Sequence, residues 1–456
     1  MRNRFCIRFA IIICVATLSS CGGKTENPSP PDQNAYNQGV AAYNAKNYAI
    51  AEVIFDSLAT SYPTSSLVDN AHYYIGKCRY YQGNYSGAIS EFNLLPTIFP
   101  TSNLLDNALL WNGKSIQQQA VVALSTGDVA GATVLFLDAR VIYQQLIGSY
   151  TTSNLVPDAY YQIALTYYDA GDYVTAKNNL AAIWATYPAS TVADGALYYL
   201  ARSTHNLSAA LIAGYTYAQA RTEYAAMIAN FPLSSWSDNA QYQIGKTHYE
   251  ELNHVAAIPE FSKVLSNYIA PSYADEAQYY IGRSMHELAL VPALPPAPAY
   301  TLAQARIEYA KLIASNPAST LADNAQYQIG KTYYDELNFT SAVIEFNKVL
   351  TNYTVATAAD EAQYYKGRSH DRLLEYANAR TAYLAVVANY PTSIYLDNAA
   401  YHAALYYHNT TQCSLEVQEL QAFMATYPAS AFVVNAQAHL NDLIGGTPVT
   451  HATCLP

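Results

Sequence analysis

Charge is the first thing this chain lacks. Asp, Glu, Lys and Arg together make up 12% of its 456 residues, about half the usual share. Bases are scarcer than acids, 23 against 34, for a formal net charge of −11. That deepens to −14 once Arg2, Arg4 and Arg8 of the acid-free first twenty residues are set aside. Such a body repels phosphate backbones, which argues against nucleic acid as a partner. Beyond residue 20 no apolar run is long enough to cross a bilayer. The motifs of chemistry are missing as well: no G-x-S-x-G, no H-E-x-x-H, no C-x-x-C and no P-loop. Ten histidines are scattered, and His286-Glu287 lacks a second histidine at zinc-ligand spacing. The chain therefore reads as non-catalytic, with no cofactor and no metal site. Apolar residues make up 51% of it, which sets it apart from disordered chains. Its 44 tyrosines imply surfaces wetted by hydroxyls in place of charges.

The N-terminus carries a targeting signal. Three arginines precede the apolar stretch Phe9 to Leu18, which is too short to span a bilayer comfortably. Leu18-Ser19-Ser20-Cys21 follows, then Gly22-Gly23. This junction resembles the bacterial lipobox, in which the cysteine is lipidated and becomes the first mature residue. Residues 1–20 then form a signal peptide, and several acyl chains on Cys21 anchor the protein, each buried methylene contributing about 0.8 kcal/mol. Gly at position 22, where an inner-membrane retention signal would place Asp, implies the outer membrane, with the body facing the periplasm. Residues 21–33, polar and rich in Pro and Gly, read as a tether. Of six cysteines, Cys6 and Cys14 leave with the signal. Cys413 and Cys454 are the pair available for a disulfide in an oxidising compartment, closing a loop worth about 4 kcal/mol in the chain-entropy model. Cys78 reads as a small core residue.

Self-similarity dominates the rest. A helix-start signature recurs at Asp69, Asp106, Asp158, Asp194, Asp238, Asp275, Asp323, Asp360 and Asp397, with looser copies at Asp32 and near Asn435. Most spacings are 36 to 38 residues, and three are longer. Residues 238–284 match 323–369 at 32 of 47 positions, an offset of 85, so the block duplicated there held two units. Within residues 69–102, Asp69 suits an N-cap, and Ala71, Ile75 and Cys78 share one helical face. Gly76 leaves room for a neighbouring helix, and Gly83-Asn84 breaks the first helix. Ala88 and Phe92 face inward from the second, and Phe99-Pro100 ends the unit. Tyr62-Pro63, Tyr187-Pro188, Phe231-Pro232, Asn316-Pro317, Tyr390-Pro391 and Tyr427-Pro428 close other units. The recurring Asp-Asn and Asp-Glu pairs could suggest acid–base chemistry, but a catalytic pair should be unique.

Gly76, Ala88, Phe92 and Pro100, with Gly330, Ala342 and Phe346, resemble the tetratricopeptide repeat. One departure is that His72, Gln241 or Gln326 stands where that family often has Trp. The longer form, Tyr-Pro-x-Ser and then a helix beginning Asp-Asn-Ala or Asp-Glu-Ala, is similar to the outer-membrane lipoprotein branch typified by BamD and shared by CpoB. The resemblance implies an all-α, right-handed superhelical solenoid of about 10–11 helix pairs over residues 34–444. First helices would line its concave side, and residues 445–456 would form a tail. A lone pair cannot bury its apolar face, so the pairs must stack. Insertions near Ser125–Gly131, Ser208–Gly214 and Val291–Pro298 should protrude as loops or lengthened helices.

Counting each Asp as position one, positions 2, 5, 9 and 12 share a face of the first helix. They read Asn70, Tyr73, Lys77, Tyr80; Asn239, Tyr242, Lys246, Tyr249; and Asn324, Tyr327, Lys331, Tyr334. Related units give Tyr198 with Arg202, Tyr279 with Arg283, and Tyr364 with Arg368. Two readings stay open. The stripe faces a groove and binds acidic or extended segments of envelope proteins; or the rings pack on the adjacent first helix and the cations pair with neighbouring acids. The resemblance implies a protein-binding scaffold, BamD-like, in outer-membrane protein assembly. CpoB-like coordination of constriction with Tol-Pal, or glycan binding on tyrosines, are the alternatives.

Overall fold

A computed structural model describes residues 30–291, 300–353, 356–409 and 412–444. The signal and tether up to residue 29, Cys21 among them, and the tail from residue 445, with Cys454, lie outside the described residues. Every regular element described is helical. The contacts divide the chain into two compact units, up to Leu155 and from Val156 onward.

The first unit holds three helix pairs: α1 (Pro31–Asn44) with α2 (Tyr48–Ser61), α3 (Val68–Tyr81) with α4 (Tyr85–Ile98), and α5 (Leu105–Ser125) with α6 (Val129–Ser149). The second begins with α7 (Val156–Asp169) and α8 (Tyr173–Thr186), α9 (Ala193–Ala209) and α10 (Tyr217–Asn230), and α11 (Ser237–Glu250) and α12 (His254–Asn267). It continues with α13 (Ala274–Leu290) and α14 (Leu302–Ser315), α15 (Ala322–Asp335) and α16 (Phe339–Asn352), and α17 (Ala359–Arg372) and α18 (Tyr376–Asn389). The last pair is interrupted: α19 (Leu396–Ala404) breaks at Leu405, and α20 (Tyr406–Asn409) precedes α21 (Cys413–Thr426) and the single α22 (Val433–Ile444). Within each unit, each helix packs on the next one along the chain.

Residue choice explains these elements. Many second helices start at side-chain N-caps: those of Asn84, Asp128, Asp172, Asn253 and Asn338 accept from the amide three residues on, whereas α2 and α18 have no such bond. Thr216 and Thr301 form capping boxes with Gln219 and Gln304. The aromatic before each proline donates its amide back four residues, as Tyr62 does to Leu58, and the helix stops there. Ala71, Ile75 and Cys78 from α3, and Ala88, Phe92 and Leu95 from α4, are all buried. Burial pushes the Cys78 thiol up to about 12, so it is inert core. The insertion near Ser125–Gly131 is absorbed as helix: α5 and α6 run 21 residues each where the repeat's helices commonly run 14. Seven extra residues are about two turns, so the inward face keeps its register.

Some turns between paired helices need a left-handed residue. Gly83, Gly127 and Gly171 supply it in three units, whereas Leu252, Leu337 and Leu374 stand there with φ of 59°, 62° and 61°. Left-handed backbone costs an L residue roughly 1–2 kcal/mol. Leu337 is 65% exposed, so its side chain returns little packing. Leu337→Gly is expected to stabilise the protein by about 0.5–1 kcal/mol, read as a higher urea midpoint, because relief of strain exceeds the added chain entropy.

Candidate partner-binding face

The recurring Asp does not do what its sequence position suggests. Helices α3, α5, α11 and α15 have Leu67, Leu104, Trp236 and Leu321 as N-caps, without a side-chain cap bond. Asp69 lies inside the first turn, where the helix dipole favours a carboxylate. One of its oxygens accepts from the Asn70 amide at 2.7 Å. The other accepts from the Ser102 hydroxyl at 2.6 Å, in the turn that opens the next unit. Ser65 donates to Asp32, Ser153 to Asp106, Ser234 to Asp194 and Ser430 to Asp397 in the same way. Each of these serines also accepts the amide two residues on, fixing the turn. The N-cap expectation is thus corrected: the Asp of one pair latches the Ser of the next Pro-x-Ser turn. Asp323 makes the fullest latch, taking the Thr357 amide and hydroxyl and the Ala358 amide. Position-2 asparagines reinforce it: Asn324 Nδ2 donates to Thr357 at 2.8 Å, and Asn70 Nδ2 to Asp69 at 3.0 Å. Asn239 donates its amide to Asp238.

The position-5 rings lie largely inside the fold. Tyr73, Tyr198, Tyr242, Tyr327 and Tyr364 are buried, and Tyr279 half-buried. Tyr242 stacks on Tyr273 at 4.5 Å, Tyr364 on Tyr395 at 4.6 Å and Tyr198 on Trp236 at 4.6 Å, each partner opening the next pair. These rings are core between successive pairs, because the next first helix covers the edge on which position 5 lies. Position 12 bridges as well. Tyr80 meets Tyr85 and Trp111, Tyr249 meets His254 and Tyr280, and Tyr334 meets Phe339 and Tyr365.

The position-9 cations stay closer to the surface. Lys246, Lys331 and Arg283 keep 24%, 23% and 30% of their side chains exposed. Each has internal partners. Lys77 sits over the rings of Tyr43 at 4.8 Å and Trp111 at 4.9 Å, in the pairs before and after its own. Burial, aided by Lys114, lowers its pKa. Lys246 donates to the Tyr280 hydroxyl at 2.8 Å, and Lys331 pairs with Asp335 at 2.5 Å. Arg202 and Arg368 donate to Tyr198 and Tyr364, and Arg283 lies 3.4 Å from Glu287. Histidines of one pair meet acids of the next: His205 with Glu250 at 2.7 Å and His286 with Asp335 at 2.9 Å. No motif at short spacing announces these pairs; the stacking creates them.

What remains for a partner is a series of partly exposed cations on the first helices α9, α11, α13, α15 and α17. In the second unit these are Arg202, Lys246, Arg283, Lys331 and Arg368. The array also carries a pH signature. His402, stacked 5.4 Å from Tyr383, is lowered to about 4 by burial and by Arg368. Its folded pKa lies below the unfolded 6.5, so its contribution is complete above pH 6.5 and lost as pH falls toward 4. Stability is expected to drop by about 1.5 kcal/mol between pH 6.5 and 5 from this group. Urea titrations of wild type and His402→Gln check this; the variant should lose that part of the slope.

Among cysteines, Cys78 is free, and Cys413 is disulfide-bonded. Cys454, the partner expected for it, lies outside the described residues. No described helix is long and apolar enough to cross a membrane.

The chain matches no curated protein. Among solved structures it is similar to a tetratricopeptide repeat protein of Parabacteroides merdae, at 13% identity and TM-score 0.39, over 62% of this chain and 97% of that one. It is also similar to yeast Tom70, at 8% identity and TM-score 0.37 over 91% and 97%. A third likeness is PilF of Pseudomonas aeruginosa, at 16% identity and TM-score 0.37 over 53% and 95%. The family model YfiO, described as outer membrane lipoprotein, matches residues 28–159, nearly the first unit. The tetratricopeptide repeat model TPR_6 matches residues 158–190 and 361–393, which hold the pairs α7–α8 and α17–α18. The described chain is an all-helical array of stacked helix pairs; its first part is similar to outer membrane lipoproteins, and two later segments are similar to the tetratricopeptide repeat.

Proposed function

We propose that this protein is a non-catalytic scaffold, anchored through lipid on Cys21 to the outer membrane and facing the periplasm, that binds envelope proteins in BamD-like fashion during outer-membrane protein assembly. The match of residues 28–159 to outer membrane lipoproteins carries this reading. The basic, apolar and lipobox-like order of residues 2–21 supports the anchor. The row of cations on the second unit's first helices supports contact with acidic or extended segments. Glycan stacking loses its support, because the position-5 rings pack against the chain itself.

Photo-crosslinking in cells tests the partner. Lys246 and Lys331 are the sites for the photoreactive residue, since Tyr242 and Tyr327 are buried. Capture of barrel-assembly subunits is expected. Capture of Tol-Pal components would move the reading to constriction, and recovery only of peptidoglycan or polysaccharide would refute a protein scaffold. Cys21→Ser is expected to release the protein from membranes into the soluble periplasmic fraction. Unchanged sedimentation with membranes would contradict the anchor.

A further inference from the structure

The last described helices bring together three side chains whose grouping has no counterpart among the other described residues. His408 comes from α20, Glu416 from α21 and His439 from α22. One potential ligand atom from each lies within 4.8 Å of the others. Nδ1 of His439 is 3.0 Å from Glu416 Oε1, and Nδ1 of His408 is 3.4 Å from Glu416 Oε2. The two imidazoles meet edge to face, 4.8 Å between centroids. Both present the same nitrogen to one carboxylate.

The carboxylate points to a ligand. Glu416 is fully buried, and its Oε2 makes no hydrogen bond, with His408 Nδ1 3.4 Å away. A buried carboxylate oxygen without a well-placed donor is costly, and such groups are ordinarily paired or bound to metal. Zinc bonds to nitrogen and carboxylate oxygen at about 2.0–2.2 Å, so neighbouring ligand atoms in a tetrahedron stand about 3.3 Å apart. The two nitrogen–oxygen separations, 3.0 Å to Oε1 and 3.4 Å to Oε2 of the same carboxylate, bracket that length, and one ligand atom from each residue lies within 4.8 Å of the others. Cys413, one turn before Glu416, is disulfide-bonded and offers no thiolate.

We propose that His408, Glu416 and His439 bind a divalent transition metal of the zinc class, with water in the fourth position. Two neutral imidazoles and one carboxylate suit zinc better than the oxygen-seeking calcium or magnesium. The site would pin α20, α21 and α22 together where the last first helix among the described residues is broken at Leu405. The alternative is a histidine–carboxylate network that holds the same helices without metal.

Calorimetric titration of the full, untagged chain with zinc chloride tests this. One zinc per chain is expected, with amide exchange of α22 slowed on loading. Glu416→Gln preserves shape and is expected to weaken zinc by more than about 100-fold, beyond the loss caused by an outer-sphere partner. Its α22 should no longer respond to zinc. His408→Asn, at a side chain 26% exposed, tests the same point should Glu416→Gln fail to fold. Absence of saturable zinc uptake by the wild type, or wild-type affinity in both variants, would overturn the proposal.

Discussion

Gly330→Ala is expected to destabilise the second unit by about 2 kcal/mol, although alanine favours a helix by about 1 kcal/mol over glycine. A Cβ on Gly330 would stand 2.7 Å from both Cδ1 and Cε1 of Phe346, closer than any real contact. Phe346 is fully buried and hemmed in by the rings of Tyr327 and Tyr365 at 5.7 and 6.1 Å. It cannot swing aside, so α15 and α16 must separate. Overpacking of this kind costs about 3 kcal/mol, which outweighs the propensity gain. Phe346→Leu in the same chain should recover part of the loss, since it shortens the ring that meets the new methyl. Urea unfolding of both variants checks this; a stabilised single variant would show that the pair is less closely packed than described.

Asp323→Ala is expected to cost about 3 kcal/mol. Removing the carboxylate leaves the buried Ala358 amide and the amide and hydroxyl of the more exposed Thr357 unmatched, at a site where Asp323 is only 6% exposed. Buried donors left unmatched cost about 1–3 kcal/mol each, though relaxation recovers some of it. Asp69→Ala, which frees the Ser102 hydroxyl and the neighbouring Asn70 donors at a half-buried site, should cost about 1 kcal/mol. Asp323→Asn should fall between wild type and Ala. Equal effects at Asp69 and Asp323 would mean that the Asp acts only on its own helix dipole.

The helix pairs were legible because their signals are local. Gly76 against Phe92 and Gly330 against Phe346 lie sixteen residues apart in one pair, and their Cβ-to-ring distances justify that spacing. The Asp and Ser motifs were both visible, but not the bond between them. Sequence spacing cannot tell an N-cap from the second helical position, and the partner serine is commonly 33 residues away. The tyrosine stripe shows a related limit. A helical wheel gives the direction in which Tyr242 points, not the fact that Tyr273 of the next pair lies there. Its cations, on the same face, keep part of their side chains in water because the flexible stems reach past the rings. The His408–Glu416–His439 cluster left no trace in the repeat pattern, since it depends on a helix break that the earlier pairs do not have.

Helix pairs of the second unit are held by their neighbours through the Asp latch and the bridging rings. Amide hydrogen exchange across the full chain, compared between wild type and Asp323→Ala, tests it most directly. Protection is expected to fall in α15 to α18, on both sides of the broken latch, while α7 to α12 keep theirs. A uniform loss along the chain, or loss confined to the first turn of α15, would contradict it.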